Sequence, residues 1–167
     1  MNTTVRVTMA ALLCIGVAAC AKKQEVKPQP EAAAPATEAA PTTGKYTPAD
    51  LDTDACLRQR VVYFDFDKSE IKPEFQQIVA CHAKYLQDRP DARMTLEGNA
   101  DERGSREYNM GLGERRGNAV SSALQAAGGS ASQLNVVSYG EERPTCREHN
   151  EACWSKNRRV EFVYTAK

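Results

Sequence analysis

Segments of β-type and of helical character alternate between residue 55 and the end of the chain, and their order restricts the fold to few architectures. β-Branched, aromatic and alternating residues predict strands at 61–66, 93–100, 134–139 and 160–164. Apolar residues at helical spacing predict one helix that begins at Pro73 and a second from the N-cap Ser105 to Gly128. The order β-α-β-α-β-β predicts an α/β (α+β) two-layer sandwich, with the helices packed on one face of a mixed sheet.

The chain before residue 55 has a composition that cannot form a core. Residues 21–54 consist largely of Ala, Pro, Glu, Lys and Thr, with almost no bulky apolar side chain. We therefore predict that residues 20–54 are a disordered tether, in which the prolines favour extended polyproline II conformation. The folded domain is then predicted at 55–167, which is long enough for a core of its own.

The first twenty residues have the layout of an export signal. Arg6 precedes a mostly apolar stretch at 7–19, and Cys20 follows it. This layout predicts that residues 1–19 are a signal peptide that is removed. No apolar run reaches the length of about 20 residues that a membrane-spanning helix needs.

The end of this segment, VAAC at 17–20, resembles the bacterial lipobox. In that motif the cysteine is acylated and becomes the first residue of the mature chain. The resemblance implies a lipid on Cys20 that anchors the protein to a membrane, and Ala21 in place of Asp implies sorting to the outer membrane. The alternative is a plain signal peptide that is cut nearby and leaves Cys20 as a free thiol.

The charge of the chain argues against a nucleic-acid partner. The chain has 22 basic and 22 acidic side chains, and its sequence pI is about 6.7. A protein that binds a polyanion through its phosphates needs an excess of clustered Lys and Arg. We therefore predict no nucleic-acid binding.

Arg116 interrupts the apolar stripe of the second predicted helix. It lies four residues after Leu112 and four before Val120, so its side chain is predicted to point inward. A snorkelling side chain or a structural ion pair would give the same pattern. Asn109 lies on the same side, and Asp101 follows the second strand. A carboxylate and a guanidinium that meet there could bind a zwitterion.

Candidate groups for catalysis are few. His82 and His149 are the only histidines, and we find no Ser-His-Asp spacing, phosphate-binding glycine loop or helical metal motif. Asp65 and Asp67 could be read as a metal or acid pair, but we interpret them as the end of the first strand. We predict that the protein is not an enzyme and has no cofactor or metal.

Five sequence blocks occur in one order in the folded part: VYFDFD at 62–67, EGNADERG at 97–104, EYN and LGERR within 107–116, VSYG at 137–140 and NRRV at 157–160. With these blocks the chain resembles the peptidoglycan-associated lipoproteins of the Tol-Pal system, within the wider family of OmpA C-terminal-like domains. Asn99 stands where many relatives have His, and Gly117 stands where Ala is common, which we expect to loosen that helical turn.

The resemblance implies noncovalent binding of the diaminopimelate stem peptide of peptidoglycan. In this chain Asp101 would contact the ammonium of diaminopimelate and Arg116 its carboxylate, while Asn109, Phe64 and Asp65 would also lie at the site. The implied partners are the cell wall, the propeller protein TolB and other Tol components. The implied location is the outer membrane, with the folded domain in the periplasm and a role in envelope integrity and in constriction at division.

Four cysteines lie in the predicted folded part, and export would bring them to an oxidising compartment. They permit three disulfide connectivities. We predict a Cys146–Cys153 bond, whose members flank one loop, and a Cys56–Cys81 bond between the segment before the first strand and the first helix. The alternative is a zinc site formed by Cys146, His149 and Cys153.

Two other functions stay open at this point. One is an OmpA-like wall-anchoring lipoprotein without Tol partners. The other is a periplasmic zinc-binding or redox lipoprotein, which the lack of a C-x-x-C motif disfavours. Binding to the propeller protein would argue against the wall anchor without Tol partners. Stoichiometric metal in purified protein would favour the zinc-binding lipoprotein.

Overall fold

The computed structural model describes residues 44–167. The predicted signal peptide at 1–19, the lipidation site Cys20 and most of the tether therefore lie outside the described residues. Within residues 44–167, no helix combines the length and the apolar character needed to cross a membrane.

A four-stranded mixed sheet forms one layer, built from β1 (Val61–Tyr63), β2 (Arg93–Asn99), β3 (Leu134–Gly140) and β4 (Arg159–Ala166). The strand order is β1-β4-β2-β3. β4 pairs antiparallel with both β1 and β2, whereas β2 and β3 are parallel. The predicted mixed sheet is confirmed, although β1 ends three residues earlier than predicted, at Tyr63.

The helical layer consists mainly of α2 and α3. The α-helices within residues 44–167 are α1 (Asp50–Thr53), α2 (Gln76–Asp88), α3 (Arg106–Ala126) and α4 (Glu151–Asn157). Pro73 begins a 3-10 turn directly before α2. Ser105 caps α3 as predicted, because its side chain accepts a hydrogen bond from the Tyr108 backbone N–H. Gly128 follows α3 with φ of 102°, a conformation that favours glycine.

The hydrophobic core lies between these layers. Leu86 of α2 and Leu124 of α3 are buried against Leu96 of β2 and Phe162 of β4. Such burial of apolar side chains supplies the main stabilisation of the sandwich, at roughly 25 cal/mol for each Å² removed from water. The predicted α/β two-layer class is therefore confirmed.

The start of the folded domain was predicted too late in the sequence. Leu51 of α1 is fully buried in the core, and the ring of Tyr46 packs on that of Tyr85 with centroids 6.2 Å apart. The backbone N–H of Tyr46 also donates to the Asp88 carboxylate at 2.9 Å. The predicted boundary at residue 55 missed these contacts because a helix as short as α1 has no periodicity and one Leu in a polar context gives no local signal.

α4 is a second element that was missing from the predicted order, where a loop joined the last two strands. The Asn150 side chain caps this helix by accepting a hydrogen bond from the Cys153 backbone N–H at 3.0 Å. Most residues of α4 are polar, so no apolar stripe predicted it. The position of α4 is important for the candidate site, because its side chains Glu151 and Trp154 lie beside the cavity residue Arg103.

α3 lies close to the sheet at positions where both surfaces have glycine. A Cβ atom on Gly98 of β2 would overlap the carbonyl oxygen of Gly113 of α3. A Cβ atom on Gly117 would lie 2.5 Å from Cγ1 of Val136. Gly117, which we expected only to loosen its turn, therefore allows the close approach of α3 to β3.

Two disulfide bonds have the predicted connectivity. Cys56, before β1, is bonded to Cys81 of α2, and Cys146, after β3, is bonded to Cys153 of α4. The second bond leaves Cys146 and Cys153 without the thiolates that a zinc site would need. His149 instead approaches the Glu102 carboxylate, with Nδ1 2.5 Å from Oε1. Within the described residues, no three His, Cys, Asp or Glu side chains are placed to hold a metal ion.

Candidate functional site

An open cavity of about 200 Å³ lies where the end of β2 meets the first half of α3. The residues that line it are Phe66, Asp67, Asp101, Arg103, Gly104, Tyr108, Asn109, Leu112 and Arg116. The aromatic rings of Phe66 and Tyr108 are 54% and 46% exposed, while Asp101, Asn109 and Arg116 are buried. The cavity thus has a charged interior and an aromatic rim.

Asp101 is charged and fully engaged inside the domain. Its Oδ1 accepts hydrogen bonds from the backbone N–H and from Nε of Arg103, each at 3.1 Å. Its Oδ2 accepts from Nη2 of Arg103 at 2.7 Å and from Nη1 of Arg158 at 3.2 Å. Burial raises the pKa of Asp101, but these hydrogen bonds outweigh it and hold the pKa below its usual value. The carboxylate is therefore ionised at neutral pH.

Arg116 lies under the cavity with its side chain fully buried. Its three nitrogens donate to backbone carbonyls: Nε to Lys68 at 2.8 Å, Nη1 to Asn99 at 2.9 Å and Nη2 to Asp65 at 3.1 Å. The guanidinium carbon stands 5.2 Å from the ring centroid of Phe64. Burial lowers the pKa of Arg116 to about 10, so it stays positively charged at neutral pH. Arg116 joins the loop after β1 to the end of β2.

The structure brings together three of the five residues that the sequence placed at the ligand site. Asp101, Asn109 and Arg116 all line the cavity, and the Asn109 side chain donates to Glu141. The side chains of Phe64 and Asp65 do not line it.

Those two residues lie outside the cavity lining. Phe64 is buried beneath Arg116, and the Asp65 carboxylate is paired with Lys72 at 2.8 Å. Because β1 ends early, the chain turns through Asp67, with φ of 57°, and presents Phe66 and Asp67 to the cavity instead.

Arg103 is the main cavity residue that the sequence did not reveal. Its guanidinium lies between two aromatic rings, 4.0 Å from the centroid of Phe66 and 4.2 Å from that of Trp154. The indole N–H of Trp154 donates to Glu102 at 2.7 Å, which fixes the ring. The block at 97–104 contains Arg103, but nothing in the local sequence predicts that residues 66 and 154 surround it.

Arg158 and Glu151 complete the charge network behind Asp101. Arg158 is buried, and its Nη2 donates to Glu151 at 2.5 Å while its Nη1 contacts Asp101. Glu151 also lies 3.5 Å from Nη2 of Arg103. Charges of both signs are therefore held close together in a partly dry site, where they interact more strongly than in water. Such a site can bind a ligand that carries both an ammonium and a carboxylate.

The comparisons with known proteins agree with this fold. The sequence model of the OmpA family matches residues 63–158. The peptidoglycan-associated lipoprotein of Haemophilus influenzae is 48% identical over 126 residues, which cover 75% of this chain and 80% of the relative. That of Pseudomonas putida is 50% identical over 113 residues, which cover 67% of this chain and 68% of the relative.

Solved structures show the same architecture. The crystal structure of the peptidoglycan-associated lipoprotein from Burkholderia pseudomallei has a TM-score of 0.67 and 41% identity, and the match covers 69% of this chain and 98% of that one. The C-terminal domain of Helicobacter pylori MotB has a TM-score of 0.58 at 21% identity over 64% of this chain and 83% of that one. The second likeness concerns the fold alone.

Proposed function

The chain belongs to the OmpA family and, within it, to the peptidoglycan-associated lipoproteins, and on this basis we propose that its cavity binds the diaminopimelate stem peptide of peptidoglycan without a covalent bond. One observation carries the proposal: Asp101 and Arg116, of opposite charge, line the same cavity. The free end of diaminopimelate is a zwitterion, so its ammonium and carboxylate match a site that holds both signs of charge. The function is binding and not catalysis.

The presence of both signs of charge in the cavity favours a small zwitterion over a singly charged ligand. A ligand with only an ammonium would displace a donor of Asp101 and leave the charge of that donor unmatched, and an unmatched ion in a partly desolvated site is costly. Asp101 provides the negative charge for the ammonium, while Arg116 adds positive potential from beneath. Asn109 and Tyr108 are further polar residues of the cavity wall.

We further propose that a lipid on Cys20 holds the protein in the outer membrane and that the domain works in the periplasm. The lipobox-like residues at 17–20 support the anchor, and so does the name lipoprotein carried by the relatives. In this proposal the protein joins outer membrane and wall within the Tol-Pal system, binds TolB and supports envelope integrity and constriction at division. Loss of palmitate labelling in Cys20→Ser would support the anchor, and persistent labelling would contradict it.

Sedimentation with purified sacculi tests the binding function. We expect the wild type to sediment with diaminopimelate-containing sacculi and Asp101→Asn to remain largely in the supernatant. Asp91→Asn is the matched control, because Asp91 is an exposed aspartate that does not line the cavity. Thermal melts establish that each variant is folded. Folded Asp101→Asn that sediments as well as the wild type would contradict the proposal.

The Tol partnership needs a separate experiment, because an OmpA-like wall anchor without Tol partners would have the same cavity. Capture of purified TolB by the immobilised protein would support the Tol-Pal function. Sacculus binding without capture of TolB would favour the simple wall anchor.

A further inference from the structure

Asp101 has no acceptor capacity left for a ligand. A carboxylate offers about four lone-pair positions. The backbone and side chain of Arg103 together with Arg158 already donate four hydrogen bonds to Asp101. An ammonium that binds to this carboxylate must therefore displace one of these donors.

Arg103 is the donor that can leave. Its side chain is 30% exposed and lines the cavity, whereas the Arg158 side chain is 6% exposed and is also held by Glu151 and by the Phe64 carbonyl. The Arg103 bonds to Asp101 use Nε and Nη2, so the two N–H groups of Nη1 make no hydrogen bond with any residue of the described part. The guanidinium rests between flat aromatic faces, which allow it to slide without losing its cation–π contacts.

Arg116 cannot make the same move. All three of its nitrogens hold backbone carbonyls, and none of its surface is exposed. Movement of Arg116 toward a ligand would break the connections between the loop after β1 and the end of β2. A ligand carboxylate in the cavity thus needs another cation for a direct, bidentate contact.

We propose that Arg103 exchanges partners when the ligand binds: it gives up Asp101 to the ligand ammonium and pairs with the ligand carboxylate. The proposal rests on the function proposed above. One ion pair inside the protein is replaced by two between protein and ligand, so every charge in the cavity stays matched throughout. Arg103 then selects for the free carboxylate of the diaminopimelate end.

The test compares two synthetic stem tripeptides that differ in one group. One has the free carboxylate at the side-chain end of diaminopimelate, and the other has this group amidated. The exchange predicts that the full chain, purified in detergent, binds the free acid about tenfold or more tightly than the amide, as expected for one charge-assisted bidentate contact. Arg103→Gln should lose most of this preference, because the free acid loses its carboxylate contact while the amide binds somewhat more tightly to an Asp101 that Arg103 no longer occupies.

A spectroscopic measurement separates movement of Arg103 from a structural role. Trp154 is the single tryptophan of the chain and touches Arg103, so its fluorescence reports the environment of the guanidinium. The free acid should change the Trp154 emission in the wild type but not in Arg103→Gln. Arg106→Gln is the matched control, because Arg106 lies at the start of α3, pairs with Glu142 at 2.6 Å and does not line the cavity.

The outcomes are distinct. Arg103→Gln that keeps the wild-type preference would overturn the exchange, and so would tighter binding of both peptides, which would make Arg103 a simple competitor for Asp101. A wild type that binds neither peptide would contradict the proposed function itself. If Arg103→Gln fails to fold, Arg103→Lys takes its place. Lysine keeps the positive charge but lacks the bidentate guanidinium, so a preference for the free acid over the amide as large as that of the wild type would overturn the proposal.

Discussion

Asp101 and Arg116 line the same cavity, and each is already paired within the domain: Asp101 with two arginines, and Arg116 with three backbone carbonyls. In the proposed binding function the two residues would therefore contribute differently. Asp101 would change partners when the ligand binds, whereas Arg116 would stay in place beneath the cavity. Substitutions at the two positions should have different effects on folding.

Arg116→Lys should destabilise the domain by about 3 kcal/mol. The buried guanidinium of Arg116 donates to three backbone carbonyls, and the single ammonium of lysine cannot reach all three. Urea unfolding measures the free-energy change. Arg115→Lys is the control: Arg115 is the exposed neighbour on α3, and its substitution should change stability by less than about 0.5 kcal/mol. Equal stability of the two variants would show that the carbonyl contacts of Arg116 contribute little.

Gly113→Ala should destabilise the domain by about 3 kcal/mol, since the new Cβ would lie 2.8 Å from the Gly98 carbonyl oxygen and even closer to Oγ of Ser138. Gly111→Ala, in the same helix, should instead stabilise it by about 0.7 kcal/mol. Its Cβ would meet only the flexible end of Arg115 at 3.3 Å, and alanine favours the helix. Denaturation of both variants checks the sign of each change, and a similar effect of the two would contradict the close contact of α3 with β2.

His82 should make stability depend on pH. It is fully buried, its ring nitrogens lie 2.7 Å from the Tyr164 hydroxyl and 2.9 Å from the Gln59 carbonyl, and burial lowers its pKa from 6.5 to about 4. Below pH 6.5 the unfolded chain takes up a proton on His82 that the folded domain does not, so stability falls as the pH falls from 6.5 to 4. The loss over this window is about 3 kcal/mol.

Unfolding free energies measured across this window in the wild type and His82→Gln isolate the contribution of His82. The variant should show a shallower dependence on pH. Parallel curves for the wild type and His82→Gln would contradict the prediction.

The two disulfide bonds should stabilise the domain by different amounts. In the loop-entropy model, the loop closed by Cys146 and Cys153 is worth about 2.5 kcal/mol, and the longer one closed by Cys56 and Cys81 about 3.5 kcal/mol. Replacing each pair by serine and measuring urea unfolding gives both values. A larger loss for the Cys146–Cys153 pair would show that this bond acts through the position of α4 more than through loop closure.

Local patterns predicted the parts of the fold that local interactions determine. The N-cap Ser105 and the four strands follow from side-chain chemistry and periodicity within each segment. The inward position of Arg116 also followed from spacing alone, and it is confirmed by complete burial. Leu51 and α4 were missed because tertiary contacts, not their own sequence, determine where they lie.

In the candidate site, too, local sequence predicted some residues, while tertiary contacts determined the positions of others. Asp101 and Asn109 could be placed because one follows a predicted strand and the other lies on a predicted helix. Arg103 could not, because its surroundings come from Phe66 and Trp154, which are distant from it and from each other in the sequence. Phe64 and Asp65 were assigned to the site through the family resemblance, whereas β1 ends at Tyr63 and the following turn presents Phe66 and Asp67 to the cavity.

Calorimetric titration with the stem tripeptide that contains diaminopimelate, compared with the tripeptide that has lysine at that position, tests the binding function most directly. Lysine keeps the side-chain ammonium and lacks the second carboxylate, so it removes one half of the zwitterion. We predict saturable binding of the diaminopimelate peptide and binding of the lysine peptide that is at least about tenfold weaker. Equal affinity for the two peptides, or no binding of either, would contradict a cavity built for the zwitterionic end of the stem peptide.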